Sequence, residues 1–522
     1  MFVRGLIMSK TNRPKGIAAA SDTQSVDGAE GDRKKFYHET VLAVDKDQTD
    51  EEQDRFDIFL LWLKEHGALF PGQYLKKYDE NVRGVHASRA IAPDSQISTI
   101  PLNLLIHEGM GQGTDVGRRV HAAEHEIIVP NHTQVIIYLL ETGARYWAPK
   151  PGRKPCTSFF KPYYDILPRT FESFPIFWSE EELSWLEGSA LSQQIKERKE
   201  NILFDYYEVC RICPDFGERF NEDDFLWCRT AVGSRNFGIT VNGVKRTTMV
   251  PWADMLNHFR PRETSWTFSN EQQAFIMTSL GELKKGQQIM DSYGKKCNSK
   301  FFMHYGFAVE NNRESDGRCM NAVLVGAELL PAAVDEYFFE QRMQLVHAPE
   351  IAVRITMNHD DAGTAEMLSF CRVAVADQEE LEEIFNRGHA HYPIAEHPVE
   401  PVSPRNEVAS LAFLARECRS ILCEYPTSLK EDLDMLENGN IPPFSNRRNA
   451  LIVVKSEKEV LWHYIRLCEL VAPLLAKSPN AKDLLAHVNK NHEDDTDDID
   501  RYMQHMAHKL EQIDSTNVTE DY

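Results

Sequence analysis

The sequence predicts an α+β fold, in which a small β-rich domain is interrupted by a helical insertion and followed by an all-α region. Two observations carry this expectation. Strand-like stretches fall into two separate blocks, one in "GVHASRAIAPDSQISTIPLNLLI" and one between Phe237 and Phe307 that includes "QAFIMTSL" and "QQIMDSY". Both consist of short apolar runs broken by Gly, Pro, Asn and Asp. The residues between the blocks, and those after about Asn321, show helical spacing instead. Sequential strands usually pair with near neighbours, so two distant blocks read as one β domain split by an insertion.

Taken in order, residues 1–50 are polar, low in aromatics and run into "DKDQTDEEQD", the composition of a disordered leader. Their first twenty positions carry Arg4, Lys10, Arg13 and Lys15 without an acid. A plain disordered start is preferred there over an organelle transit segment. Residues 51–120 hold an N-terminal helix, with Phe56, Phe59, Leu60 and Leu63 on one face, and the first strands. Residues 121–231 form the helical insert, with "VIIYLL" and "FDYYEVC" on apolar faces. In "WSEEELSWL", Ser179 and Glu182 make a capping box ahead of Leu183, Leu186 and Leu191. Residues 232–320 return to strands, and residues 321–490 are helical around the loop "HYPIAEHPVEPVSPR". Residues 491–522 are an acidic tail with one last short helix.

Bulk composition excludes several classes. The 522 residues suffice for two or three domains, and 42% apolar content is that of a folded soluble protein. No apolar run reaches the roughly 18–20 residues of a membrane span. A formal charge of −22 argues against nucleic-acid binding, which needs clustered Lys and Arg to offset phosphate, and fits a basic or neutral partner better. Ten cysteines are too sparse for a disulfide framework, and the CxxC of Cys210 and Cys213 lacks a second pair for zinc. They read as ordinary thiols in a reducing, cytoplasmic or nuclear, compartment, and the chain as a monomer.

Three motifs invite a chemical reading. "HEGMGQGTDVG" places Gly109, Gly111, Gly113 and Gly117 after "LNLLI", as a phosphate-binding turn of a doubly wound fold would. The βαβ context is missing, and a flexible glycine loop leading into a helix is the preferred reading. Asp254 and His258, four apart in "PWADMLNHFRPR", could share a helix face and bind a metal, but no third ligand is near. A hydrogen-bonded structural histidine is the ordinary alternative, and no metal is expected. Tyr293 and Tyr305 each precede a Gly in "DSYGKKCNSKFFMHYGF" and could each be simple turn or core residues.

The succession of these segments carries more than any one of them. "RGVHASRAIAPDSQISTIP", "KPYYDILPRTFESFPIFWSEEELSWLEGSAL", "GSRNF", "VPWADMLNH", "IMDSYGKKCNSKFFMHYGF" and "VENN" occur in this order. Together they resemble a SET-domain methyltransferase of the Rubisco large-subunit methyltransferase-like branch. The resemblance implies a split SET domain with an inserted helical subdomain, followed by an all-α C-terminal substrate-binding domain. It is strong over about 56–315, and beyond that rests on character and position only. It also implies S-adenosylmethionine as cofactor and a protein substrate.

By position, the resemblance places backbone at Arg83, Gly84 and Val85 in the first cofactor segment. Here the chain reads Val82-Arg83-Gly84 where the family often has Gly-x-Gly, so altered side-chain contacts are expected at that turn. Arg235 falls where the family's arginine meets the methionine carboxylate, a charge-assisted pairing. Asp254, Asn257 and His258 match the segment that holds the adenine and amino-acid ends of the cofactor, and Tyr293 matches the catalytic tyrosine. Transfer of a methyl group from a sulfonium to a neutral nitrogen develops no anion. The enzyme must therefore position the two atoms and exclude water, and has no need of a metal or nucleophile.

The branch also contains enzymes that methylate a histidine of actin. Those carry a polar residue where this chain has Phe237, and lack the aromatic found here at Tyr305. Phe237, Tyr293 and Tyr305 are expected to wall a substrate channel suited to an aliphatic amine, with cation–π contact of roughly 0.5–2 kcal/mol to the product. A lysine acceptor is therefore preferred. A histidine acceptor, or a catalytically silent protein-binding module, is the alternative.

Overall fold

The computed structural model describes residues 50–78, 82–148, 155–329, 336–477 and 497–517. The leader expected over 1–50, with its basic start, lies outside the described residues apart from Asp50. The first helix, Asp50–Glu65, buries Phe59, Trp62 and Leu63 and exposes Ile58 and Leu61, the one-sided face its spacing predicts.

The two strand blocks join as expected. Strand Gln96–Pro101 pairs antiparallel with Ala274–Ser279, whose other edge carries Thr264–Ser269. Ile106–His107 pairs with Val244–Met249, which also carries Asn236–Val241. Arg83–Ala87 pairs with Gln73–Lys77. It is fastened to the second block by Ile289 N donating to Val85 O at 2.7 Å and Ala87 N donating to Gln287 O at 2.9 Å. Loop-closure entropy grows only with the logarithm of length, so a long insertion between paired strands is tolerated.

That insertion is built from helices Pro130–Glu141, Lys161–Ile166, Leu191–Ile212, Pro214–Arg219 and Glu222–Arg235, with short turns between. The Ser179 box forms: Ser179 N donates to Glu182 Oε2 at 3.0 Å and Glu182 N to Ser179 Oγ at 3.3 Å. The helix it starts is only Glu180–Leu183 and passes into a 3-10 turn. Gly188, at φ +84°, breaks it where a Cβ would stand 2.7 Å from Tyr425 Cα. Leu183, Leu186 and Leu191 are nonetheless all buried across the break.

The glycine-rich stretch is neither a phosphate turn nor a loose loop. It forms helices Glu108–Gln112 and Asp115–Ala122. A Cβ on Gly111 would lie 1.9 Å from Gln134 O, and one on Gly117 1.9 Å from Gly111 O. These glycines let helix backbones meet, so packing and not ligand binding explains them.

After Asn321 the helical expectation needs a correction. Ala322–Glu328 and Glu350–Thr356 form an antiparallel pair. "AVLVGAE" alternates toward buried and exposed sides, a half-buried strand of period two too short to show in a helical reading. Helices follow as expected: Ala362–Val375, Gln378–Asn386, Pro404–Leu422, Leu429–Asn438 and Asn446–Lys477. This region is tied to the β domain by Ala308 N donating to Asn449 Oδ1 at 3.1 Å and by the Arg448–Glu310 pair at 3.0 Å.

A second correction concerns the tail. Helix Asp497–Asn517 buries Ile499, Tyr502, Met503 and Met506, and the Tyr502 hydroxyl donates to Glu407. Glu407 in turn holds Arg372 through contacts of 2.8 and 2.9 Å. The start of that tail, 491–496, lies outside the described residues. Among the described residues no His, Cys, Asp or Glu group is arranged to hold a metal, and no helix is long and apolar enough to cross a membrane.

Candidate active site

Trp252 opens the site. It is fully buried, stacks on Phe70 at 4.2 Å and has φ +80°, a conformation that a bulky side chain adopts only when its surroundings impose it. The turn leads into Asn257-His258, a short strand paired in parallel with Met290-Asp291. Two segments more than thirty residues apart are thereby brought side by side. Tyr293 N donates to His258 Nδ1 at 3.0 Å, which leaves the ring proton on Nε2. Burial, then the cations Arg260 and Lys296, push the His258 pKa down to about 3, so the ring stays neutral.

Gly84 explains why the first segment must approach so closely. Asn257 Nδ2 donates to Arg83 O at 2.7 Å, directly beside it. A Cβ at Gly84 would stand 2.2 Å from Gln288 Nε2 and 3.1 Å from Asn257 Nδ2. Val85, buried in the same strand, fixes the segment to the core.

Four side chains make the charged part of the site. Arg235 Nη1 donates to Asp254 Oδ2 at 3.0 Å and to Asp254 O at 3.1 Å. Tyr163, from the helical insert, donates to the same Oδ2 at 2.7 Å. Arg83 turns inward, with Nη1 donating to Ile166 O at 2.8 Å and Nε 2.9 Å from Met255 Sδ. Burial, together with the like charge of Arg235, lowers the Arg83 pKa to about 9. Burial also acts to lower Arg235, but Asp254, Tyr163 and Tyr293 together outweigh it and the net shift is upward. Arg83 Nη2, Arg235 Nε and Asp254 Oδ1 are buried and lack a hydrogen-bond partner among the described residues. Unpaired buried polar atoms are costly, and two open donors with one open acceptor in the same cluster suit a ligand bearing both a carboxylate and an ammonium.

Next to this cluster stands an aromatic wall. Tyr293 stacks on Tyr305 at 4.8 Å, and Phe307 stacks on Phe301 beside them. The Tyr293 hydroxyl donates to Leu256 O at 2.8 Å. Burial raises its pKa well above that of a free phenol, more than nearby Arg235 lowers it, so the hydroxyl is neutral. Lys296 Nζ donates to Tyr293 O and lies 5.8 Å from the centre of the Tyr305 ring.

Arg83, Gly84, Arg235, Asp254, Asn257, His258, Tyr293 and Tyr305 thus form one connected set. Phe237 departs from the expected arrangement. Its ring packs edge-on against Trp266 at 5.4 Å and Phe275 at 5.2 Å, rather than against either tyrosine. Sequence reasoning missed Tyr163, Gln288 and Lys296. Tyr163 lies in the quoted "KPYYDIL", but its role depends on a contact 91 positions away. A cavity of about 420 Å³ lined by Gln194, Arg354, Tyr425 and Glu457 contains none of these residues and is a separate feature.

Comparison with solved structures matches this architecture. A crystal structure of the SET domain of LSMT bound to lysine and AdoHcy has a TM-score of 0.62 at 21% identity, covering 81% of this chain and 93% of that one. The chain shares the fold of that SET domain. A structure of Rubisco LSMT bound to AdoMet gives a TM-score of 0.60 at 21% identity, covering 86% of this chain and 99% of the other. The expected α+β SET fold is met, with the strand pair Ala322–Glu328 and Glu350–Thr356 the exception to an all-α C-terminal region. Residues 334–461 match the family described as Rubisco LSMT substrate-binding. Among characterised relatives, the actin-histidine N-methyltransferase of Mus musculus is 25% identical over 433 residues, which is 78% of this chain and 67% of the relative. That of Xenopus tropicalis is 24% identical over 429 residues, 78% of this chain and 69% of the relative.

Proposed function

We propose that this chain is an S-adenosylmethionine-dependent protein N-methyltransferase. The observation that carries the reading is the set of unpaired buried atoms, Arg83 Nη2, Arg235 Nε and Asp254 Oδ1, beside the Gly84 cradle and the Tyr293 wall. These residues fit the cofactor: the arginines would hold its carboxylate, Asp254 its ammonium, and Asn257 with the Gly84 backbone its adenosyl part. When bound, the cofactor supplies a sulfonium-activated methyl group. The chain's residues then position and shield. The Tyr293 phenol, neutral and with its proton donated to the Leu256 carbonyl, orients the acceptor side chain by accepting a hydrogen bond from one of its N–H groups and does not serve as an anionic base. The rings of Tyr305, Phe301 and Phe307 keep water from the approach path.

The acceptor has two readings. The relatives named above act on a histidine of actin, and on that ground histidine stands ahead of lysine, reversing the order preferred from the sequence. Lysine is kept as the second reading by one observation: Tyr305 stacks directly on Tyr293, an aromatic surface suited to an alkylammonium. The test is calorimetric binding of S-adenosylmethionine to the full chain, followed by incubation with labelled cofactor and cell lysate. Mass spectrometry of the labelled residue reads histidine or lysine directly. Absence of cofactor binding would leave only a protein-docking module.

A further inference from the structure

Four helices bring their cationic or imidazole side chains to one place that the methyl-transfer site does not use. Arg229 comes from Glu222–Arg235, Arg198 from Leu191–Ile212, His132 from Pro130–Glu141 and His304 from Asn298–Tyr305. Arg229 is only 8% exposed, and its Nε and Nη1 are both buried without a hydrogen-bond partner among the described residues. Arg198 Nε and His132 Nδ1 are in the same condition. The two guanidinium groups act on each other as like charges, and both act on His132 and His304. Asp205 is the carboxylate that reaches Arg229 electrostatically, yet its oxygens accept from Ile128 N at 2.6 Å and Val129 N at 3.3 Å. Buried guanidinium donors left without acceptors are costly, and two of them together call for an anion.

The location narrows what that anion is. His304 directly precedes Tyr305, whose ring stacks on Tyr293. A Cβ at Gly233, two residues before Arg235, would stand 3.8 Å from Arg198 Nη2. Lys296 and Lys300 extend the positive field past His304, and Lys300 is exposed. Arg198, His132 and His304 are each partly accessible, so the cluster reaches the surface beside the acceptor wall. On a chain of formal charge −22, this is a local cationic site where the acceptor segment must arrive.

We propose that Arg229, Arg198, His132 and His304 form a carboxylate-binding pocket that receives an acidic side chain of the protein substrate close to the methylated residue. The proposal rests on the protein-methyltransferase reading for the nature of the substrate, while the pocket itself does not. Arg229 supplies the buried donors, Arg198 closes the pocket at its rim, and the neutral imidazoles each add one N–H.

The test uses the full chain with cofactor and two sets of short peptides, one with a central His and one with a central Lys. In each set a single Glu is moved through the flanking positions, with Gln at the same position as control. One position should favour Glu over Gln in kcat/KM by about tenfold or more, the scale of a charge-assisted hydrogen bond. Arg229→Gln should bring that ratio close to one, and Arg198→Gln does the same at the accessible rim should the first variant fail to fold. In parallel, the ring resonances of His132 and His304 are followed by NMR with the Glu peptide, the Gln peptide and sodium sulfate. Both rings should shift, and their pKa values rise, with the Glu peptide only. Methylation without a preferred Glu position, or a preference surviving both variants, overturns the proposal. A response to sulfate without one to the Glu peptide makes this a free-oxyanion site and also overturns it. A response to the Glu peptide without methylation of any peptide supports the pocket and refutes the methyltransferase reading instead.

Discussion

Removing the Asp254 carboxylate tests the electrostatic design of the site most directly. Asp254→Ala leaves Arg235, 17% exposed at its side chain, without the anion 3.0 Å from Nη1. It also removes the acceptor of the Tyr163 hydroxyl and the negative charge that supports Arg83. Breaking one partner out of a buried pair costs about 3–5 kcal/mol, because the surviving charge stays desolvated. The Tyr163 contribution, about 1–3 kcal/mol for a buried hydroxyl left unpaired, overlaps with this and does not add in full. A loss of about 3–5 kcal/mol is therefore expected in denaturant unfolding, read as a lower midpoint at unchanged slope. Arg235→Met combined with Asp254→Leu removes both charges and should be less destabilised than Asp254→Ala alone. A loss below about 1 kcal/mol in the single variant, the range of an exposed pair, would refute the description of this pair as desolvated.

Four further outcomes are expected. Tyr293→Phe removes the hydroxyl bonded to Leu256 O and should lower turnover while leaving cofactor affinity near the parent value; equal turnover would take Tyr293 out of the reaction. Gly84→Ala places a Cβ 2.2 Å from Gln288 Nε2, and calorimetry should show cofactor affinity falling by about tenfold or more as the Asn257–Arg83 contact is displaced. His258 is held neutral with a pKa of about 3 against 6.5 when exposed, so the unfolded state binds the extra proton between these values. The stability contributed by the neutral ring is complete above pH 6.5 and is lost as the pH falls toward 3. His258→Gln should remove up to about 1.4 kcal/mol per pH unit from the slope in that window, and an unchanged slope would contradict the burial argument. Tyr502→Phe strips a donor from the buried Glu407–Arg372 pair and should cost about 1.5–3 kcal/mol, measured by thermal or chemical unfolding.

Legibility in the sequence followed the range of the interaction. The Ser179 box, the first helix and the split of the strand blocks depend on spacing within a few residues or on gross order, and they appear as read. Strand Ala322–Glu328 is hard to read from sequence because its period-two alternation spans only seven residues, five of them Ala, Val or Leu, ahead of a long helical region. The last helix was misread because its charged residues dominate the composition, whereas the residues that dock it, Tyr502 and Met506 among them, are few. Within the site, motif order located Arg235, Asn257, His258 and Tyr293, but spacing carries no information on which distant ring or hydroxyl meets them. Tyr163 and the Trp266–Phe275 packing of Phe237 are of that kind.

The helical insert has a larger part in this arrangement than its place between the strand blocks suggests. From one of its helices Tyr163 reaches Asp254 and holds the oxygen that Arg235 also uses. From three others come His132, Arg198 and Arg229, which gather beside Tyr305. The β domain alone would supply Gly84, Asp254, Asn257, His258 and the Tyr293–Tyr305 wall, but neither the Tyr163 hydroxyl that fixes Asp254 nor the guanidinium groups of Arg198 and Arg229. Because Glu222–Arg235 carries Arg229 in the outer cluster and Arg235 in the inner one, six residues and so just over 1.5 turns apart, the two charged sites share one rigid support.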